Sequence, residues 1–105
     1  MPDARVRFVV FHHPGPQWQT GVDFREQPGV GAHVGHYRQL FERGQLEMGG
    51  PFLLPDGGGM MVATPDVSYD ELAAFAASDP AVQAGLLVFE IKPWYVPMNR
   101  QGSGY

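Results

Sequence analysis

The segment RVRFVVFH, which runs from Arg5 to His12, decides the fold of this 105-residue chain. Its content of valine and phenylalanine is typical of a β-strand. Side chains alternate between the two faces of a strand, and the two sets here are Val6, Phe8 and Val10, and Arg7, Val9 and Phe11. Because both sets are largely apolar, we expect this strand to lie in the centre of a sheet that is covered on both faces.

The patterns after this strand predict two helices and three further strands. Apolar residues at helical spacing indicate one helix over Val30–Arg43 and a second over Tyr69–Ser78, which Ser68 and Glu71 begin with a capping box. A loop rich in proline and glycine, Pro14–Pro28, precedes the first helix and is predicted to lack regular structure. Three further strands are predicted at Gln45–Phe52, Gly59–Thr64 and Leu86–Trp94. A short turn is predicted at Ala81–Ala84, before the last strand.

The order strand, helix, strand, strand, helix, strand predicts an α+β fold. It corresponds to the ferredoxin-like βαββαβ arrangement, in which an antiparallel sheet carries two helices on one face. One domain is expected over residues 1–96, followed by a flexible polar tail over residues 97–105. The sheet face without helices would be apolar and bare, so we expect a second copy of the chain to cover it in a homodimer.

The composition excludes several classes of function. The net charge is −4, and the seven basic residues are scattered, so no basic stripe exists to follow a phosphate backbone and no nucleic-acid partner is expected. The longest apolar run, Leu72–Ala77, is too short to span a membrane, and no signal-peptide pattern begins the chain. The absence of cysteine excludes disulfides and fits a reducing compartment, from which we expect a cytoplasmic location.

Two titratable residues, His33 and Asp79, fall on the apolar faces of the predicted helices. In the predicted topology both lie at the same end of the domain, together with the Pro14–Pro28 loop and the glycine-rich hairpin. A neutral imidazole accepts a proton near pH 7, and a carboxylate orients it and stabilises the imidazolium. We therefore predict that His33 and Asp79 form a catalytic acid/base pair.

Structural interpretations of the same residues compete with this prediction. His33 is also consistent with a packed helix residue bonded to a carbonyl group, and Asp79 before Pro80 is consistent with a helix N-cap. The four histidines, His12, His13, His33 and His36, suggest a possible metal site, and His33 and His36 have a helical spacing that some metal sites use, but no metal-binding signature is present. We therefore predict neither a metal nor an organic cofactor.

An ordered run of features across the chain resembles the YciI-like (YCII-related) family. These features are an opening strand with a Pro-Gly-Pro loop and Trp18, His33 followed by Tyr37 and Leu40, Gly44, the Gly50-Pro51 pair, the helix Glu71-Leu72-Ala73-Ala74, and Asp79-Pro80 with Gly85 before a closing strand. The likeness extends nearly to Trp94. It implies a dimeric α+β barrel of ferredoxin-like subunits with a histidine–aspartate site. His33 corresponds to the family histidine by its distance from Gly44, and Asp79 to the aspartate by Pro80.

The pair and the resemblance together predict a small cofactor-independent enzyme that uses general acid/base chemistry on a small organic molecule. A lyase, isomerase or dehydrohalogenase reaction would suit that chemistry. Trp18, Tyr37 and Phe52 are predicted to form an aromatic substrate-binding wall, and the Pro14–Pro28 loop is predicted to cover the pocket and to be mobile. The main alternative is a non-catalytic small-molecule-binding or accessory module. A monooxygenase or haem-type member of the wider dimeric barrel group ranks below both.

Overall fold

The computed structural model describes residues 3–100 and confirms the α+β, ferredoxin-like fold. Its elements are β1 (Val6–Pro14), α1 (Val30–Glu42), β2 (Leu46–Pro51), β3 (Gly59–Ala63), α2 (Tyr69–Ala77), α3 (Pro80–Gln83) and β4 (Leu87–Tyr95). The predicted elements agree with these bounds to within one or two residues. The predicted short turn after the second helix is the helix α3, which Pro80 begins.

The sheet is antiparallel throughout, with the strand order β2-β3-β1-β4. The predicted central position of β1 is therefore confirmed. Its partner β4 pairs along the whole strand, from Val6 opposite Tyr95 to Pro14 opposite Leu87. The apolar pattern of both faces of β1 follows from this position, because a central strand has neighbours on both sides and both of its faces are largely removed from water.

The core lies between the sheet and the helices on one of its faces. The buried residues of this cluster come from β1, α1, β2, β3, α2 and the segment before α2, and are Val10, Tyr37, Leu40, Leu46, Ala63, Val67, Leu72 and Ala76. Complete burial of a leucine such as Leu72 contributes about 2 kcal/mol through the hydrophobic effect. This packing fixes the relative positions of α1, α2 and the end of β1, which carry the polar residues described below.

The opposite face of the sheet is less apolar than the sequence pattern indicates. Of the two sets of β1 side chains, Val9 and Phe11 lie on it, but the register places Lys92 opposite Val9 and Glu90 opposite Phe11. Opposite residues of an antiparallel pair project from the same face, so these charges accompany the apolar side chains. On the same face the buried Arg7 pairs with Glu47, with 2.7 Å between Nε and Oε2.

The long loop before α1 is more ordered than its composition indicates. It contains one turn of 3-10 helix, Phe24–Glu26, so the prediction that it lacks regular structure was wrong there. The side chain of Gln27 is buried and acts as an internal brace. Its amide nitrogen donates to the carbonyls of Gln19 and Val22, at 2.8 and 2.9 Å, and its oxygen accepts from the Gln19 amide at 2.9 Å. The predicted mobility of this loop stays a prediction.

Within residues 3–100, no helix has the length and apolar character that a membrane crossing requires. The predicted tail begins at residue 97, and residues 97–100 form neither helix nor strand. Residues 101–105, which make up the rest of that predicted tail, lie outside the described residues, as do residues 1 and 2 of the predicted domain.

Candidate active site

His33 and Asp79 are in direct contact, as the sequence predicted. His33 lies in the first turn of α1, and Asp79 lies in the corner between α2 and α3. The distance between His33 Nδ1 and Asp79 Oδ2 is 2.6 Å. His33 is buried and Asp79 is 0% exposed. A hydrogen bond of this length between a ring nitrogen and a buried carboxylate is of the charge-assisted kind.

The two oxygens of Asp79 have different partners. While Oδ2 contacts His33, Oδ1 accepts a hydrogen bond of 2.9 Å from the backbone N–H of Ala81. Asp79 is thus the N-cap of α3, with Pro80 at the first helical position. Asp79 is therefore both a helix cap, through Oδ1, and the partner of His33, through Oδ2.

The surroundings of Asp79 favour its ionised form. Burial alone would raise its pKa, but the hydrogen bonds from His33 and Ala81 and the nearby imidazoles outweigh burial and hold the pKa below its ordinary value. Because the carboxylate is ionised at neutral pH, the hydrogen of the short bond belongs to His33 Nδ1. This leaves Nε2 of His33 as the nitrogen that can accept a proton from a ligand.

His12, at the end of β1, is a third member of the cluster, which the sequence suggested only as one of four possible metal ligands. Its ring meets the His33 ring edge-on, with 4.8 Å between centroids, and its Nε2 lies 3.9 Å from Asp79 Oδ2. Burial, assisted by the adjacent His33, lowers the pKa of His12 to about 4 despite the attraction of Asp79. His12 is therefore neutral at physiological pH. The alternation of side chains along β1 could have indicated this position, since His12 follows Phe8 and Val10 on the face that meets the helices.

Tyr37 completes the polar cluster from one turn further along α1 than His33. Its hydroxyl lies 3.3 Å from His12 Nε2. Burial, together with the negative charge of Asp79, raises the pKa of Tyr37, so the phenol stays protonated. The cluster therefore contains one anion, two imidazoles and one neutral hydroxyl.

A cavity of about 730 Å³ opens beside this cluster, lined mainly by α1 and by the β2–β3 hairpin. His12, His33 and Tyr37 form part of its wall, and Asp79 lies behind His33. Of the predicted wall residues, Tyr37 and Trp18 line the cavity. Phe52 does not, since it is 39% exposed and borders a smaller neighbouring depression.

The loop before α1 is attached to the tip of the β2–β3 hairpin beside this cavity. Trp18 Nε1 donates a 2.7 Å hydrogen bond to Asp56 Oδ1, and the Gly21 amide donates to the same oxygen at 3.0 Å. The hairpin in turn lies close against β1, because a Cβ on Gly58, whose φ is +71°, would overlap the carbonyl oxygen of His12. Trp18 therefore forms part of the cavity wall in a position fixed by Asp56.

The family model described as the YCII-related domain matches residues 6–95. The chain belongs to the YCII-related family. This confirms the resemblance drawn from the sequence. No curated protein matches this YCII-related chain.

One solved structure similar to this YCII-related chain is that of 5-chloro-2-hydroxyhydroquinone dehydrochlorinase (TftG) from Burkholderia phenoliruptrix, in complex with 2,5-dihydroxybenzoquinone. The two chains are 22% identical, and the TM-score is 0.63. The match covers 84% of this chain and 92% of that chain. At this level of identity the likeness establishes a shared fold.

The other two histidines of this YCII-related protein, His13 and His36, lie outside the cavity and contact other side chains. His36 stacks on Phe75 with 4.0 Å between ring centroids, and its Nε2 lies 2.7 Å from the Phe75 carbonyl oxygen. His13 is exposed on the opposite side of β1 from His12 and pairs with Glu90 at 3.3 Å. Neither residue lines the cavity.

The donor atoms of His12, His33 and Asp79 lie within 4.8 Å of one another, so these three residues could hold a metal ion. Two imidazoles and a carboxylate are ligands that zinc and iron accept. However, a metal bound at His33 Nδ1 would have to displace the proton that this nitrogen shares with Asp79. The observed geometry therefore favours proton transfer over metal binding.

Proposed function

We propose that this YCII-related protein is a small enzyme in which His33, oriented by Asp79, moves a proton on a small organic molecule held in the cavity. The observation that carries the proposal is the 2.6 Å hydrogen bond between His33 and a fully buried, ionised Asp79 at the cavity wall. His33 Nε2 takes the proton, and the carboxylate stabilises the resulting imidazolium. A cytoplasmic location for this enzyme stays a prediction.

The cavity favours a flat, partly apolar substrate. Trp18 and Phe24 from the long loop and Met60 and Met61 from β3 contribute to its wall, beside the polar cluster. Such a wall suits aromatic or quinonoid rings, while the polar groups orient ring oxygens. The dehydrochlorinase of similar fold acts on a chlorinated hydroxyhydroquinone, and its ligand is a dihydroxyquinone, which supports the same substrate class here.

Dehydrohalogenation is the reaction that we propose first, with other proton-transfer eliminations and isomerisations as members of the same class. His33 removes a proton from the substrate, the freed electron pair forms a new double bond, and the halide leaves with the electron pair of the carbon–halogen bond. The proton on His33 then passes to water. The reaction needs no redox partner, because loss of hydrogen halide leaves the total electron count unchanged.

Chloride release from chlorinated hydroquinones tests this proposal. The wild-type protein should release chloride, His33→Ala should abolish the release, and Asp79→Asn should reduce it, because a neutral amide orients the imidazole without stabilising its charge. His13→Ala is the matched control, since it removes an exposed histidine outside the cavity and should leave the rate unchanged. A folded His33→Ala protein with the wild-type rate would contradict the proposal. Saturable binding without turnover by the wild type would support the binding-module alternative.

We propose further that a second copy of the chain covers the sheet face opposite the helices. Met48 and Trp94, which are 62% and 47% exposed, lie on that face with Val88. Met48 is on one edge strand and Trp94 and Val88 are on the other, and apolar side chains exposed across one sheet face are typical of a subunit interface. Trp94→Glu should weaken the homodimer in sedimentation experiments, whereas Leu53→Glu, at the exposed hairpin tip, should not. A wild-type monomer at micromolar concentration would contradict this proposal.

A further inference from the structure

We infer that Tyr37 is a second substrate-contacting group, which donates a hydrogen bond to an oxyanion of the ligand, and that His12 is the positioning residue that directs the Tyr37 hydroxyl toward it. The ligands so recognised are hydroxylated aromatics and carbonyl compounds that carry negative charge on oxygen when His33 removes a proton. This inference rests on the proposed function, because it names the substrate class of that same site.

The hydrogen-bonding capacity of Tyr37 is only partly used. A phenol has one O–H donor and lone pairs that accept. Among residues 3–100, the hydrogen-bond partner of this hydroxyl is His12 Nε2, at the long distance of 3.3 Å. Tyr37 is buried by the core, yet it also borders the cavity. A ligand oxygen in the cavity could accept from the O–H while the phenol oxygen keeps His12 as its partner.

The charge of Asp79 decides the direction of the bond between His12 and Tyr37. His12 Nε2 lies 3.9 Å from the ionised Oδ2 of Asp79, and a nearby anion favours the tautomer with hydrogen on that nitrogen. Because His12 is neutral, its ring carries a single proton, which this argument places on Nε2. Nε2 then donates to the Tyr37 oxygen, and the Tyr37 O–H is left to donate elsewhere.

The base and the proposed donor lie close together on the cavity wall. His33 and Tyr37 are separated by four residues on α1, and their ring centroids are 5.3 Å apart. A small ligand can therefore present a proton to His33 and an oxygen to Tyr37 at the same time. When His33 takes the proton, the electron pair shifts onto the oxygen to give an enolate or phenolate. The Tyr37 O–H stabilises that charge most where it develops.

Binding of 4-nitrophenolate tests this inference without turnover. The wild-type protein should bind the anion and shift its visible absorption band, as expected when a donor hydrogen bonds to the oxyanion. Tyr37→Phe should lose the shift and weaken binding about tenfold, in line with loss of a charge-assisted hydrogen bond. 4-Nitroanisole, which has no anionic oxygen, should bind the wild type and Tyr37→Phe equally and so report an intact cavity.

The positioning role of His12 has its own variants. His12→Ala should lose most of the band shift, whereas His12→Gln should retain part of it, since its amide N–H can still donate to the Tyr37 oxygen. Equal shifts and affinities for 4-nitrophenolate in the wild type and in folded Tyr37→Phe would overturn the inference. Because the band shift and the affinity are both measured without turnover, the test remains decisive if the proposed catalysis fails.

Discussion

Asp79 and Asp56 make the same pair of hydrogen bonds in very different surroundings. Each carboxylate accepts one bond from the N–H of an aromatic ring and one from a backbone amide. The donors are the ring of His33 and the amide of Ala81 for Asp79, and the ring of Trp18 and the amide of Gly21 for Asp56. Asp79 is completely buried, whereas Asp56 lies at the tip of a hairpin and is partly exposed.

The comparison shows how burial changes the use of one bonding pattern. The pKa of Asp56 is lowered mainly by the Trp18 hydrogen bond, with water nearby to replace that bond when it breaks. Burial would raise the pKa of Asp79, but its hydrogen bonds and the nearby imidazoles lower it. These interactions are effective because the protein interior screens charge weakly. The Asp79 charge can therefore fix the position of a proton on His33, while Asp56 serves to attach a loop.

Removal of the two carboxylates should have very unequal effects on stability. Asp79→Ala leaves the His33 Nδ1–H and the Ala81 N–H without partners in a dry site, and we expect a loss of about 3 kcal/mol in the free energy of unfolding. Asp56→Ala exposes its former partners to water and should change the urea midpoint little. Equal shifts of the midpoint in the two variants would show that burial does not separate the two sites.

The buried cluster should also make stability depend on pH, whereas the hairpin site should not add to this dependence between pH 4 and 6.5. The pKa of His12 falls from its ordinary 6.5 to about 4 on folding, so folding keeps the ring neutral. Its contribution is fully present above pH 6.5 and is lost as the pH falls toward 4, by about 3 kcal/mol in total. The lowered pKa of Asp79 adds a further loss at still lower pH.

Urea unfolding between pH 4 and 8 measures this dependence. His12→Gln should flatten the pH profile over the range from 6.5 to 4, and Asp56→Asn should leave that part of the profile unchanged. A His12→Gln profile as steep as that of the wild type would mean that His12 is not the group responsible.

The smallest effect is expected for the loop attachment at the hairpin. Asp56→Asn keeps a side-chain oxygen but loses the charge that strengthens the bonds from Trp18 and Gly21. Amide exchange at Gly21 should become several-fold faster, because the loop separates from the hairpin more often, while exchange at Ala81 should not change. Unaltered exchange at Gly21 would indicate that Gln27 alone holds the loop.

The core of the site could be predicted from the sequence, because periodicity and topology together determine it. His33 lies at a helical position that faces the core, Asp79 continues the apolar spacing of α2 just beyond its end, and an antiparallel βαββαβ order places both at one end of the domain. His12 follows the same alternation as Val10, but it lies beside an exposed histidine at the end of the strand, so the sequence suggested it only as a possible metal ligand and not as a member of the acid/base site.

The remaining parts of the site depend on features that periodicity does not specify. The sequence predicts Phe52 in the cavity wall, but β2 ends at Pro51. Beyond the end of a strand, the alternation of side chains no longer determines on which side a residue lies. The hydrogen bond between Trp18 and Asp56 joins two loops, whose relative position the periodicity does not determine. The backbone of Asp56 also has a positive φ of 54°, which the presence of an aspartate does not predict. Elsewhere in the fold, the sequence does not reveal the register irregularity between Leu46 and Met48, beside which Glu47 pairs with Arg7.

The position of the proton on His33 tests the central claim most directly. Nitrogen-15 correlation spectra of the imidazole rings at pH 7.5 distinguish a protonated from a bare ring nitrogen. We predict that His33 carries its proton on Nδ1, with a downfield proton resonance that Asp79→Asn moves upfield and Asp56→Asn leaves in place. A neutral His33 with its proton on Nε2 would contradict the account, because that nitrogen could not accept a proton from a ligand.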